Sequence, residues 1–185
     1  MDTLETPRLL LRTVRPDDWP AVQTMATQYM GSPMAAYDHP WPTDEDGVRA
    51  ACGWFAGEEG WRAVCRRADG QLLGLVCRNR EEPPNTYNIG YLFDERFRGQ
   101  GYAAEACRAI LDDAFTHGAV CFHSGTAADN HPSRRLLARL GFCVTGQGVS
   151  SLREDEQGKP IEFTGLAYEL TREDWTRKAE RESHE

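Results

Sequence analysis

Arg96-Phe97-Arg98-Gly99-Gln100-Gly101-Tyr102-Ala103 is the segment whose residue types and spacing best support chemistry. Two glycines let a backbone approach a ligand closely, and an apolar helical period begins immediately after them. The first amides of a helix have no intrahelical partner and sit at its positive end. A glycine turn opening a helix therefore predicts an anion site, of the size of a phosphate or diphosphate, with Arg96 and Arg98 adding positive charge.

The surrounding elements agree with such a site. Arg8–Arg12 reads as an opening strand, and Val22, Met25, Ala26, Tyr29 and Met30 as one face of a first helix after Pro16-Asp17-Asp18. Thr43 with Asp46 predicts a capping box for a second helix carrying Val48, Cys52 and Phe55. Strands follow at Trp61–Arg66, Leu72–Arg78 and Tyr87–Phe93, with Asp69-Gly70 as a hairpin turn. After the glycine turn, Ala103, Cys107, Ile110, Leu111 and Ala114 line a helix that ends at His117-Gly118. A short strand at Ala119–Ser124, a helix at Pro132–Leu140 and strands near Phe142–Ser150 and Ile161–Leu170 complete the pattern, with a terminal helix at Arg172–Lys178. The order predicts an α/β fold: a mixed, mostly antiparallel sheet of about seven strands with one central parallel pair, flanked by helices. A single domain over residues 1–185 is expected, with a polar, mobile tail from about residue 176.

Composition narrows the function classes. The 185 residues carry 21 basic and 29 acidic side chains, a net charge of −8, which argues against a general nucleic-acid binder. Residues 96–140 hold six arginines against four acids, so a local excess of +2 sits in an acidic remainder of −10. The longest apolar run, Leu72–Cys77, is too short to span a bilayer, and the acidic N-terminus has no secretory apolar stretch. Six scattered cysteines without a C-x-x-C pair predict reduced thiols in a cytoplasmic protein, and no metal site.

Three phosphate motifs fit the glycine turn to different degrees. The P-loop pattern is absent. Gly99-Gln100-Gly101-Tyr102-Ala103-Ala104 fits the dinucleotide fingerprint, but it follows a fourth strand rather than a first, and no acid follows at Ala119–His123. The third is the R-x-x-G-x-[GA] turn, satisfied by Arg96, Gly99 and Gly101. With it the chain resembles the Gcn5-related N-acetyltransferases (GNAT), in their ribosomal-protein-alanine-acetyltransferase-like branch. Glu5–Arg12, Ile89-Gly90-Tyr91, Asn130-His131-Pro132-Ser133 followed by Gly141-Phe142, and Tyr168–Trp175 resemble that branch's segments in the same order.

The resemblance implies acetyl-coenzyme A in a cleft between two splayed parallel strands. Arg98, Gly99, Gln100, Gly101, Tyr102 and Ala103 would hold the diphosphate; Leu92 and Phe93 would pair with the pantetheine amides, a backbone N–H there polarising the thioester carbonyl. Asn130 would bond the pantetheine arm, Arg139 would meet the 3′-phosphate, and Ser133 would protonate the departing thiolate. Asn130 and Ser133 also suit a helix N-cap and first turn, and Arg139 a solvated face. The branch often carries Glu where this chain has Asn88, which cannot take a proton. Ordered water, Asp38, His39 or Glu162 are the alternative bases. Asp38, His39 and Trp41, with Asn88, fall where the family builds its acceptor wall, although Trp41 equally suits a core anchor. The expected acceptor is a small-molecule amine or a protein N-terminus, and an edge strand could pair in a homodimer. An acyl-CoA-binding module without catalysis is the alternative that Asn88 motivates.

Overall fold

The computed structural model describes residues 3–182. The opening segment folds as two strands, β1 (Leu4–Glu5) and β2 (Leu9–Thr13). The chain reverses between them because the Thr6 amide donates to the Leu9 carbonyl and the Leu9 amide to Thr6 Oγ1, both at 2.9 Å. This short strand raises the count from the expected seven to eight. Helix α1 (Trp19–Met30) buries Val22, Met25 and Ala26 after a 3-10 turn at Pro16–Asp18. A second 3-10 turn, Pro33–Tyr37, leads to α2 (Glu45–Gly57). Its N-cap is Asp44, whose carboxylate accepts from the Gly47 amide at 2.8 Å, so the cap lies one residue beyond Thr43.

Strands β3 (Trp61–Arg66), β4 (Leu72–Glu81) and β5 (Thr86–Phe93) form an antiparallel meander, with Gly70 at φ +73° in the first turn. A 3-10 turn at Glu95–Phe97 and the glycine turn lead to α3 (Tyr102–Thr116). Strand β6 (Cys121–Ala127) begins two residues later and ends three later than the sequence suggests. Then come α4 (His131–Leu140), β7 (Cys143–Glu154), β8 (Pro160–Thr171) and α5 (Arg172–Glu182). Helix α5 thus runs to Glu182, beyond the expected Lys178; in its first turn Trp175 buries its ring and donates from Nε1 to Asp112 at 2.9 Å.

The sheet order is β1-β2-β3-β4-β5-β6-β8-β7, antiparallel throughout except for β5 and β6. That parallel pair is in register only at Thr86–Cys121, Tyr87–Phe122 and Asn88–His123. Beyond these, β5 continues to Phe93 and β6 to Ala127 without pairing. Where the strands part, the buried Ser124 hydroxyl donates to the Ile89 carbonyl at 3.0 Å, a side chain standing in for the missing ladder bond.

Helices α3, α4 and α5 cover one face, around Val76, Ile89, Phe122, Leu137, Leu170 and Trp175. Helices α1 and α2 cover the other, around Met25, Val48, Phe55, Cys65 and Leu75. Successive strand residues alternate between the two. On β6, Phe122 and Ser124 are buried toward α3 and α4, so Cys121, His123 and Gly125 face the α1–α2 side.

Candidate active site

Gly99 and Gly101 occupy the left-handed region, at φ +75° and +80°, where a side chain is strained. Gly101 is the N-cap of α3 and carries no capping side chain, so the first amides of the helix face the turn. The turn is clamped from both sides. On one, Asp94, 2 % exposed, accepts from the Arg96 amide at 2.9 Å and pairs with the Arg96 guanidinium at 2.5 Å, which holds its carboxyl below the usual range. On the other, Arg8 pairs with Glu105 at 2.6 Å, donates to the Gln100 carbonyl at 2.9 Å and lies over the Tyr102 ring. Burial works against the Glu105 charge, but hydrogen bonds from Thr6 and Arg8 prevail and keep it ionised below the ordinary range. Arg98 pairs with Glu95 at 2.7 Å. The charge of both turn arginines is thus locally matched, and the first amides of α3 are the donors the turn leaves without a capping side chain.

Across the gap between β5 and β6, Tyr91 of β5 meets Ser133 of α4, hydroxyl to hydroxyl, at 2.7 Å. Burial raises the Tyr91 phenol above its ordinary value, so it stays a neutral donor or acceptor. Asn130 caps α4, its Oδ1 accepting from the Ser133 amide at 3.3 Å. Arg139 is exposed in the last turn of α4. Leu92 and Phe93 lie on the part of β5 that has left β6; Leu92 joins the α1–α2 core and Phe93 the α3 core.

On the α1–α2 face, a polar row crosses the sheet at the last β5–β6 pair. Asn79, Asn88, His123 and Glu169 are successive register partners on β4, β5, β6 and β8. His123 Nδ1 lies 2.7 Å from Glu81 Oε2, and His123 Nε2 lies 3.5 Å from Glu169 Oε2. The Cys121 thiol, His123 and Glu169 place one atom each within 4.8 Å of one another. Burial, then the Glu169 and Glu81 charges, push that thiol up to about 11.

The aromatic loop passes over this face. Tyr37 rests against Phe163 of β8 with ring centroids 5.0 Å apart, and Arg153 donates to the Ala35 carbonyl at 2.9 Å. Trp41 packs on Phe55 and on Trp61 of β3. Because β3 and β8 lie on opposite sides of the β5–β6 split, Asp38-His39-Pro40 spans it. Asp38 accepts from the Tyr29 hydroxyl at 2.8 Å, and His39 is exposed. Glu162 is exposed and alternates to the side of β8 opposite Phe163 and Glu169, away from the row.

The structure therefore brings the glycine turn, Asn130 and Ser133 to one side of the split, and Asn88, Asp38 and His39 to the other. Trp41 takes its core-anchor alternative. Arg8, Asp94, Glu105, Tyr91 and His123 were not singled out from sequence. His123 carried a signal, since Cys121-Phe122-His123-Ser124 alternates polar side chains with an apolar one within the expected strand. Arg8 and Glu105 lie 97 positions apart, and nothing local links them.

Comparison with known proteins agrees with this architecture. Residues 8–143 match the family model described as an acetyltransferase (GNAT) domain. An uncharacterized N-acetyltransferase of Bacillus subtilis, YnaD, is 27% identical over 143 residues, 75% of this chain and 81% of that protein. The ribosomal-protein-serine acetyltransferase of Escherichia coli is 35% identical over 78 residues, 41% of this chain and 44% of that one. A GNAT-family acetyltransferase from Bacillus anthracis superposes with TM-score 0.77 at 20% identity, covering 93% of this chain and 99% of its own. A ribosomal L7/L12 α-N-protein acetyltransferase solved with coenzyme A gives 0.70 at 20% identity, over 90% and 97%. At such identities the superpositions speak to the fold alone, and the family match carries the assignment: the chain belongs to the GNAT acetyltransferase family, and its relatives include ribosomal-protein acetyltransferases.

Proposed function

We propose that this protein moves an acetyl group from acetyl-coenzyme A to a primary amine by direct attack in a ternary complex. The observation that carries the reading is the juxtaposition of the β5–β6 split with the uncapped, glycine-flanked N-terminus of α3. The residues present suit the donor. The Arg98–Ala103 amides and the α3 dipole complement a diphosphate, the free edge of β5 at Leu92 and Phe93 suits an amide-bearing chain, and Asn130 stands at the mouth of the same gap. Arg139, exposed on α4, is the candidate for the 3′-phosphate. Bound there, acetyl-coenzyme A supplies an acyl group activated as a thioester. Ser133 Oγ is the candidate proton donor to sulfur, a role that requires the Tyr91 hydroxyl to be the donor of the pair and leaves the Ser133 proton for the thiolate.

On the opposite face, the Asp38–His39 span together with Asn88 forms the candidate acceptor wall. A protein N-terminus is one acceptor class, because the relative in Escherichia coli is a ribosomal-protein-serine acetyltransferase; a small-molecule amine is the other. Free thiols suit a reducing, cytoplasmic setting, and no helix among the described residues is long and apolar enough to cross a membrane. Strand β7 is a sheet edge with Val144, Val149 and Leu152 exposed, the edge on which a second copy would pair.

The test is coenzyme A thiol release with a panel of primary amines and N-terminal peptides. Release that depends on an amine supports the enzyme. Asn88 favours a second reading, a coenzyme A-binding module without catalysis, which predicts tight binding and no release with any acceptor. Thermal stabilisation by NAD and not by coenzyme A would overturn both.

A further inference from the structure

We infer that His123, held between Glu81 and Glu169, is the group that takes the proton from the acceptor amine, and that the acceptor arrives as a cationic primary ammonium. The inference rests on the acetyltransferase reading and supplies what position 88 cannot. Asn88 has no proton-accepting group at neutral pH. Its register partner on the adjoining strand is His123, at the last pair before β5 and β6 part, so both side chains share one face beside the split. That face is the one the Asp38–His39 span covers, away from α3 and α4.

The surroundings of the imidazole suit proton transfer. Glu81 of β4 holds Nδ1 at 2.7 Å, which sets the ring's orientation, and leaves Nε2 as the second site. Glu169 of β8 stands 3.5 Å from Nε2, close enough to steady an imidazolium and too long for a firm hydrogen bond. The remaining neighbours are Cys121, whose thiol stays protonated at neutral pH, and the neutral amides Asn79 and Asn88. The side chains of His123, Glu81 and Glu169 are 38%, 35% and 41% exposed, so an incoming amine or a bridging water can reach them. Two carboxylates around one imidazole attract an ammonium and repel an acidic acceptor.

The proton balance is simple. The ammonium gives one proton to Nε2, directly or through one water, and becomes a neutral amine with a free lone pair. The new bond forms from amine nitrogen to acyl carbon and the carbon–sulfur bond breaks. The sulfur receives a proton, the amide nitrogen loses one, and the imidazolium returns its proton to solvent.

The test begins with wild-type kcat/KM on a primary amine as a function of pH. An imidazole acceptor predicts a limb that rises with pH and that depends on His123. His123→Gln should lower kcat/KM about 100-fold and move the limb toward the amine's own ionisation, near 10 for a lysine-like amine. Glu81→Gln, a positioning change, should lower kcat about tenfold with little change in KM for the amine, because the ring loses the partner that orients it. Asn88→Glu in the His123→Gln background should recover at least tenfold by returning a carboxylate to the neighbouring position. The coenzyme A Kd, within about threefold of wild type in every variant, serves as the folding control. Wild-type turnover with an unaltered rate and limb in His123→Gln overturns this inference alone. A rate abolished by EDTA and restored by zinc also overturns it, in favour of a metal. Coenzyme A binding with no turnover of any amine by wild type overturns the acetyltransferase reading, and this inference with it.

Discussion

The Tyr91 hydroxyl lies 2.7 Å from Ser133 Oγ, joining β5 to the first turn of α4 across a gap where β5 no longer pairs with β6. Both partners are half-buried, and the tyrosine is kept neutral by burial. The contact fixes the Ser133 rotamer at the place where the split strands leave room for a ligand. Ser133→Ala should therefore lower kcat about 100-fold while the coenzyme A Kd changes little, the range expected for loss of one proton donor. Tyr91→Phe keeps the hydroxyl of Ser133 but frees its rotation, and should cost less, about tenfold. Steady-state kinetics with both variants check the order of the two effects.

Gly101→Val should weaken coenzyme A binding at least tenfold. A Cβ there stands 3.4 Å from Arg8 Nη2, and the φ of +80° costs a branched residue about 1–2 kcal/mol or more. Gly99→Ala has open space around its Cβ and carries only the strain. Calorimetric titration should rank Gly101→Val below Gly99→Ala, with near-wild-type circular dichroism for both.

Arg8→Ala should loosen the same turn from outside it. The change removes the Glu105 ion pair, the donation to the Gln100 carbonyl and the contact with the Tyr102 ring together. Arg8 is about half exposed, so the effect on stability should be small. Affinity for coenzyme A should fall several-fold, read by the same titration, because the amides lose their fixed geometry.

Asp94 should make folding acid-sensitive. Its pairing with Arg96 depresses its pKa below the unfolded value of about 3.9. The stabilisation is complete above that unfolded value and is lost as pH falls through the depressed folded one. Asp94→Asn should cost about 1–3 kcal/mol at pH 7, as for a buried charged hydrogen-bond network. Denaturant unfolding should show the gap between wild type and variant closing at low pH.

Trp41→Ala should act on stability before it acts on the acceptor. The ring packs on Phe55 and Trp61 while remaining partly exposed, which sets a loss of about 2–3 kcal/mol, the low end for a large aromatic. Asp38→Asn, by contrast, touches the span over the split and should raise KM for a cationic amine with little change in melting temperature.

Local sequence carried most of the fold because each element has its own punctuation. Gly70, Gly118 and Gly141 stop elements where left-handed backbone is needed, and α3 buries Cys107, Ile110, Leu111 and Ala114 of the five positions its helical period indicates, leaving Ala103 half-buried. Where reading along the chain failed, the deciding partner was distant. The extra strand β1 depends on a reversal held by Thr6 and Leu9, and the helical continuation to residue 182 depends on Trp175 burying itself and bonding Asp112 on α3. The cap at Asp44 in place of Thr43 turned on a choice between two adjacent oxygens, which composition does not discriminate.

The candidate site divides along the same line. A glycine turn that opens a helix is a local feature, so the turn at Gly99–Ala103 was legible from five consecutive residues, and Gly99 and Gly101 take the positive φ it requires. The positive charge expected of Arg96 and Arg98 beside those amides is matched in the tertiary structure, where Arg96 pairs with Asp94 and Arg98 with Glu95. The proton chemistry was not legible, because Asn88 and His123 are neighbours only through the β5–β6 register, and Glu81 and Glu169 reach His123 only because β4 and β8 bring them to its two ring nitrogens. A local conformational need can be read from a few residues; a proton path needs charges within a few ångströms, and only the sheet decides which distant residues share that space.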